Sequence, residues 1–175
     1  MPTHLAFLRA INLGAKRKFG KDAIKAAVES VGFTDVATHI NTGNVRFTTT
    51  MRSPQRITEK LQTAFAADRG FEVPTIVFGL PEFRQIVADA DELGHADLAR
   101  HYVWLMQQEP DPEFIAGAEA LSTDDQRVVV RGRACHLLLG QVTQGVVDPS
   151  RSERFLGVAT NRNVTVLRAI AAKWC

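Results

Sequence analysis

The chain has few of the residues that carry disulfides, signal sequences or membrane spans. Its 175 residues include only two cysteines, Cys135 and Cys175, which form no C-x-x-C pair and indicate no disulfide framework. No apolar run approaches the roughly 20 residues that a membrane span needs. The opening MPTHLAFLRAINLG lacks a cationic segment followed by an apolar one, so we expect no signal peptide. These absences predict a cytoplasmic protein without a membrane partner.

Recognisable catalytic motifs are also missing. The sequence has no G-x-x-x-x-G-K-[ST] phosphate loop, no G-x-S-x-G nucleophile elbow and no dinucleotide-binding G-x-G-x-x-G. The five histidines show no i, i+4 pair that would suit a metal, and Cys135 and His136 are strand neighbours whose side chains point to opposite faces. The acids Asp89, Asp91 and Glu92 read as a solvated helix end rather than a metal site. We therefore predict no metal, and the sequence identifies neither a cofactor nor a reaction.

What the sequence does contain is ordinary globular composition with an uneven distribution of charge. Hydrophobic residues make up 45% and charged residues 23%, which excludes a disordered chain, a collagen-like fibre and a coiled coil. The length suits one domain or two small ones. Net charge is +2, but residues 1–25 and 151–173 are basic whereas residues 82–125 are strongly acidic. If the basic ends meet, they form a face that attracts phosphate; otherwise the acidic residues are simply solvated.

Hydrophobic periodicity predicts a strand, helix, strand, strand, helix, strand order in the first half. The predicted strands cover residues 4–11, 36–40, 45–49 and 73–79, with helices from Lys21 towards Gly32 and from Pro54 towards Gly70. This order is typical of a ferredoxin-like β-α-β-β-α-β subdomain and predicts an α+β fold. We assign this subdomain to residues 1–80 and a connecting helix to residues 81–98.

The second half is predicted as a further α+β subdomain over residues 99–175, forming one compact unit with the first. Its order reads strand, helix, strand, strand, helix, helix, with a hairpin turn at Gly132 and a capping box of Ser150 and Glu153 before the penultimate helix. The two halves are too dissimilar in sequence to establish a repeat.

Three stretches together resemble one bacterial family, the domain-of-unknown-function 1697 family. Residues 8–47, LRAINLGAKRKFG…INTGNVRF, resemble its opening signature; VPTIVFGLPEFRQIVA is similar to its VPVIV strand and following helix; and GVATNRNVTVLRAI resembles its closing motif. The chain departs from the family pattern at Ala10, Ala15 and Thr42, lacks the closing tryptophan, and has Ser150 and Arg151 where many members carry Ser-Lys. The resemblance implies a two-subdomain α+β fold and a bacterial source, and it implies no reaction.

The candidate ligand-binding residues fall in these signature stretches. A basic loop bracketed by Gly14 and Gly20 leads into a helix N-terminus, where lysines, free N–H groups and the helix dipole all favour an anion. Turn residues 41–44 and residues 160–163, predicted to start a helix, are the other two candidates. The predicted site residues are Arg9, Asn12, Gly14, Lys16, Arg17, Lys18, Thr42, Gly43, Asn44, Arg162 and Asn163.

The leading hypothesis is a binder of a phosphate-bearing ligand, either a nucleotide or a nucleic-acid backbone. A small-molecule enzyme of unknown class that uses Arg9 and Arg162 as substrate clamps, and an oligomeric scaffold joining basic ends to the acidic middle of another copy, are the alternatives. A plain turn or cap explains many of the candidate residues equally well. An RNA-binding aromatic platform is disfavoured, because Val45 and Phe47 read as core and leave Arg46 and Thr48 on the other face.

Overall fold

A computed structural model describes residues 1–141 and 157–175 of the chain. The chain divides into two compact units: unit 1 comprises residues 1–83 with Trp174, and unit 2 comprises residues 84–173 with Cys175. The described residues form five helices and two four-stranded antiparallel sheets. The predicted α+β class is therefore confirmed.

Unit 1 has the predicted β-α-β-β-α-β order. Its sheet runs β2-β3-β1-β4, so the first strand lies inside the sheet between β3 and β4 and pairs antiparallel with both. This is the strand order of a ferredoxin-like fold, in which both helices cover one face. The elements are β1 Thr3–Leu8, α1 Lys21–Ser30, β2 Thr34–His39, β3 Asn44–Thr48, α2 Pro54–Arg69 and β4 Thr75–Gly79.

The core of unit 1 follows from strand alternation and helix periodicity. In the register of the sheet, Ala6 of β1 lies opposite both Val45 and Val77, and all three belong to one buried cluster. The stripe of α1 adds Ile24, and α2 adds Leu61 to the same cluster. A fully buried valine, isoleucine or leucine side chain contributes about 1.5–3 kcal/mol of hydrophobic stabilisation.

Helix ends in unit 1 follow the predicted chemistry. The Ser53 hydroxyl accepts a hydrogen bond from the Arg56 backbone N–H at 3.3 Å, and Pro54 occupies the first helical turn. Helix α2 ends at Gly70, whose φ of 74° is a left-handed conformation that glycine adopts without a steric penalty. The predicted boundaries of this helix are therefore confirmed.

Unit 2 repeats the strand order of unit 1. Its sheet runs β6-β7-β5-β8, so that β5 is flanked by β7 and β8 as β1 is flanked by β3 and β4. Helix α3 begins at the end of unit 1 and continues into unit 2. The elements are α3 Leu80–Leu93, β5 Arg100–Met106, α4 Pro112–Glu119, β6 Gln126–Arg131, β7 Ala134–Leu139, β8 Ala159–Asn163 and, as the last helix, α5 Val164–Trp174.

The structure corrects the prediction for residues 160–163. Thr160, Asn161 and Arg162 lie in strand β8, which pairs with β5, and only Asn163 stands at the start of a helix. The sequence interpretation failed because this polar stretch runs straight into a helix cap and has no apolar alternation to mark a strand. The predicted capping box of Ser150 and Glu153 lies outside the described residues.

Both sheets pack apolar side chains against their helices. In unit 2, Met106, Phe114 and Val128 belong to a buried cluster that joins the sheet to α4. Asp111 caps α4 by accepting from the Phe114 N–H at 2.7 Å, as the sequence predicts. Over the described part of the chain, no helix has both the length and the apolar character needed to cross a membrane.

Candidate functional site

The basic loop, defined as residues 9–20, connects β1 to α1 in unit 1. Strand β1 ends at Leu8, whose N–H donates to the Gly43 carbonyl at 2.8 Å, and the next N–H, of Arg9, donates to Pro74 at 2.8 Å. The chain then passes through positive φ at Ala10, Asn12 and Gly14. This left-handed path departs from extended geometry at Ala10 and so ends the strand before residue 11, where the sequence places its end.

Asn12 holds the basic loop together. Its amide nitrogen donates to the carbonyls of Phe19 at 3.1 Å and Asn41 at 2.7 Å, and its amide oxygen accepts from the Phe19 N–H at 2.9 Å. Asparagine is among the few non-glycine residues that adopt its φ of 56° readily. One side chain therefore joins the two ends of the loop to each other and to the turn at residues 40–44.

Arg17 also makes structural contacts. Its Nε donates to the Ala10 carbonyl at 2.7 Å, one Nη donates to the Glu72 carbonyl, and its guanidinium lies 4.7 Å from the centroid of the Phe71 ring. Phe19 anchors the end of the loop, because its fully buried ring packs edge-on against Phe65 at 5.3 Å. The conformation of the loop is therefore fixed from within unit 1.

The lysines of the loop, by contrast, face solvent. Lys16 and Lys18 are exposed, and neither side chain forms a hydrogen bond or ion pair with any residue that the structure describes. The loop runs into Gly20, the N-cap of α1, which contributes no side-chain hydrogen bond to the first turn. Two cations thus stand beside the positive end of a helix dipole, an arrangement that favours an anion.

The second predicted candidate, residues 41–44 of the turn, lies against the loop. Thr42 is exposed, whereas Gly43 and Asn44 are buried. The Asn44 amide donates to the His39 carbonyl at 3.0 Å and to the Thr42 hydroxyl at 2.8 Å. The structure therefore brings the first two candidates together through Asn12 and Asn41, and the contacts of Asn44 stabilise the turn.

The third predicted candidate belongs to unit 2. Arg162 is only 9% exposed and donates to the Thr160 hydroxyl at 2.9 Å and the Asn161 carbonyl at 2.7 Å. Burial lowers the pKa of its guanidinium to about 10, so it stays protonated at neutral pH. Asn163 caps α5 by accepting from the Thr165 N–H at 2.9 Å. These contacts give both residues structural roles within unit 2.

Other predicted chemistry can be compared with the structure. Val45 and Phe47 are fully buried, as expected, and the opposite face of the same sheet is also closed, since Phe7 packs on Phe83 at 5.5 Å between ring centroids. The two central strands of this sheet, β1 and β3, therefore have no exposed aromatic ring of the kind on which RNA bases stack. Cys135 and His136 are both buried on β7, and burial raises the pKa of the Cys135 thiol to about 12.

Three acidic residues of α3 pair with arginines, and two of them, Asp91 and Glu92, remain exposed to solvent, as the sequence predicts. Arg131 contacts Asp89 at 3.3 Å and Glu92 at 2.9 Å. Asp91 accepts from the Arg168 Nε at 2.7 Å. Across residues 1–141 and 157–175, no three His, Cys, Asp or Glu side chains are grouped in a way that could hold a metal ion.

Sequence reasoning missed a pair of buried histidines in unit 2. His101 Nε2 lies 3.1 Å from His136 Nδ1, and burial lowers the pKa of each ring to about 4. The two residues are 35 positions apart on neighbouring strands, so no spacing motif in the sequence indicates that they are in contact. Only the register of β5 against β7 places them side by side.

The sequence profile of the family described as "Protein of unknown function (DUF1697)" matches residues 1–136. The chain belongs to this family. No curated protein matches the chain. Among solved structures, a conserved bacterial protein from Streptococcus pneumoniae is similar, with a TM-score of 0.74 and 23% sequence identity over 99% of this chain and 98% of that one. At this identity the similarity establishes the fold, and the DUF1697 family brings no reaction with it.

Proposed function

We propose that unit 1 binds the phosphate backbone of a nucleic acid through the basic loop. The observation that carries the proposal is the exposure of Lys16 and Lys18 without any partner among the described residues, on a loop whose conformation Asn12 and Arg17 fix. Contact with phosphate costs less conformational entropy when unpaired lysines belong to a loop of fixed conformation than when the loop is mobile.

An extended polyanion suits this loop better than a single small anion. The lysines project from an exposed segment, in which residues 12–16 are all solvent-accessible, rather than line a cavity. Binding through phosphates carries no sequence information and depends steeply on salt, because each neutralised phosphate releases counterions. The proposal therefore predicts weak sequence preference and strong salt dependence.

The test is fluorescence anisotropy with a labelled duplex DNA and a labelled single-stranded RNA, titrated with the chain at several salt concentrations. The double variant Lys16→Ala/Lys18→Ala should weaken binding at low salt by about tenfold or more. It should also reduce the slope of log K against log salt by about 1.8 units for duplex DNA and about 1.4 units for single-stranded RNA, as expected for two lost phosphate contacts.

The matched control removes the same charge elsewhere in unit 1. Arg52→Ala/Arg56→Ala changes two exposed arginines whose side chains form no ion pair with any residue that the structure describes. This variant should keep affinity within about twofold of the unmodified chain, because it leaves the contacted phosphates in place. Equal losses in the two double variants, or no binding of either nucleic acid at low salt, would overturn the proposal.

A further inference from the structure

A second candidate site lies wholly within unit 2. It is a pocket of about 430 Å³ formed by the segment after α3, the start of β5 and the first turn of α5. The lining residues include two arginines, Arg100 and Arg168, and two histidines, His95 and His101, and no aspartate or glutamate is among them. The wall of the pocket is therefore biased towards an anion.

Arg168 is held in position by a neighbour that lies outside the pocket wall. Its Nε donates to Asp91 Oδ1 at 2.7 Å, which leaves the Nη end of the guanidinium to face other groups. That end lies beside Gly94, where an added Cβ would stand 3.6 Å from Nη2 and 3.1 Å from the Ala90 carbonyl. The glycine thus leaves the guanidinium end uncovered.

His101 supplies an independent observation. It is only 5% exposed, its Nε2 is engaged by His136 at 3.1 Å, and its Nδ1 has no hydrogen-bond partner among the described residues. Of this pair only His101 lines the pocket. When His136 Nδ1–H donates to His101 Nε2, the neutral His101 ring carries its proton on Nδ1, a buried donor without an acceptor among the described residues. A buried polar atom without a partner is unfavourable, and an acceptor on a bound ligand would satisfy it.

The first turn of α5 completes the pocket. Asn163 caps this 11-residue helix, and Val164 and Thr165 also line the wall. The positive end of the helix dipole therefore acts in the same direction as the two arginines.

We infer that this pocket binds the phosphate group of a small phosphorylated molecule, held by Arg100, Arg168 and the first turn of α5, with His101 as a further donor. The pocket is larger than a phosphate alone requires and falls within the range typical of small-molecule sites, about 300–1,000 Å³. Arginine pairs with phosphate through two parallel hydrogen bonds, which suits a compact, doubly charged group. The inference does not depend on the basic loop of unit 1.

Isothermal titration calorimetry with ribose 5-phosphate, ribose and inorganic phosphate tests the inference on the full chain. Ribose 5-phosphate should bind and ribose should not. Arg100→Gln should weaken binding about tenfold or more; this side chain is exposed, so we expect the variant to fold. Arg127→Gln, an exposed arginine of the same unit outside this pocket, is the matched control and should bind as the unmodified chain does.

Three results would overturn the inference. They are no heat of binding with ribose 5-phosphate at about 10 mM, an equal loss of affinity in Arg100→Gln and Arg127→Gln, or binding of inorganic phosphate without binding of ribose 5-phosphate. The loop variant Lys16→Ala/Lys18→Ala should bind ribose 5-phosphate normally, so the two proposed sites fail independently. Long-range nitrogen NMR of the histidine rings gives a second readout. A saturated complex should carry the His101 proton on Nδ1, and a proton on Nε2 instead would contradict the inference.

Discussion

The Cβ of Leu8 lies 2.7 Å from the position that a Cβ on Gly43 would occupy. The backbones of the turn and of the last residue of β1 therefore touch without a side chain between them, and the Leu8 N–H donates to the Gly43 carbonyl at 2.8 Å. This contact sets where β1 ends and where the basic loop begins. It also gives a physical reason for glycine here beyond its φ of 75°.

Gly43→Ala should destabilise the chain by about 2–5 kcal/mol, the sum of a left-handed alanine and an overpacked contact that Leu8 cannot relieve by rotating, since its own Cβ is the obstacle. Gly14→Ala is the control, because Gly14 has a similar φ of 70° but open space around it, and should lose only about 1 kcal/mol. Urea unfolding at fixed m-value measures both. Equal losses would show that the contact with Leu8 contributes nothing.

Arg17 and Lys16 are adjacent in the loop but should respond differently to substitution. Arg17→Lys keeps the charge and loses the planar group that donates to Ala10 and Glu72 and stacks on Phe71, so we expect a stability loss of about 1–3 kcal/mol. Lys16→Ala should stay within about 0.5 kcal/mol of the unmodified chain, because its side chain is exposed. Thermal unfolding of the two variants in the same buffer makes the comparison.

An Arg17→Lys variant as stable as the unmodified chain would mean that the loop is not fixed by this guanidinium. The proposal for the basic loop would then lose its argument from rigidity, although the exposed lysines would remain.

Local rules were enough to predict most of the fold. Ser53, Asp111 and Gly70 carry strong capping signals, and α2 and α4 begin or end where those signals lie. Strand β8 was missed because its formation depends on pairing with β5, a contact between residues about 60 positions apart. An edge strand of polar residues is stabilised mainly by pairing with its neighbour, and its own composition gives little indication of a strand.

The sequence predicted only part of the candidate site, again because some of its contacts join residues that are far apart in the chain. The sequence shows that residues 12–18 are basic and glycine-containing, which a local pattern can reveal. It cannot show that Arg17 is occupied by backbone carbonyls while Lys16 and Lys18 are not, since Glu72 is 55 residues from Arg17. The same limit hid the contact of His101 with His136, which requires knowledge of strand register.

The buried histidines predict a pH dependence of stability. Burial lowers both pKa values from 6.5 to about 4, so between these values the unfolded chain binds protons that the folded chain does not. The free energy of unfolding should therefore fall as pH falls from about 6.5 towards 4, by at most about 1.4 kcal/mol per pH unit for each ring. The charged groups that act on the two rings are Asp89, Asp91, Arg131 and Arg168.

Urea unfolding at pH 7.0, 6.0 and 5.0 measures this slope, and His136→Gln isolates its source. The variant removes one titrating ring, so its stability should depend less on pH over this interval than that of the unmodified chain, whatever its stability at pH 7. Identical slopes for the two proteins would show that His136 does not carry the effect.

Substitution of Arg162 tests whether this residue stabilises the fold or binds a ligand. Its buried guanidinium donates to Thr160 and Asn161, and its pKa of about 10 keeps it charged at neutral pH. Arg162→Lys preserves the charge but replaces a planar five-donor group by a point charge, so we expect a loss of about 2 kcal/mol or more. Arg127→Lys, at an exposed position, should change stability by less than about 0.5 kcal/mol. If Arg162 instead acts as a substrate clamp, Arg162→Lys will leave unfolding unchanged and weaken only ligand binding, and urea unfolding with parallel calorimetry distinguishes the two outcomes.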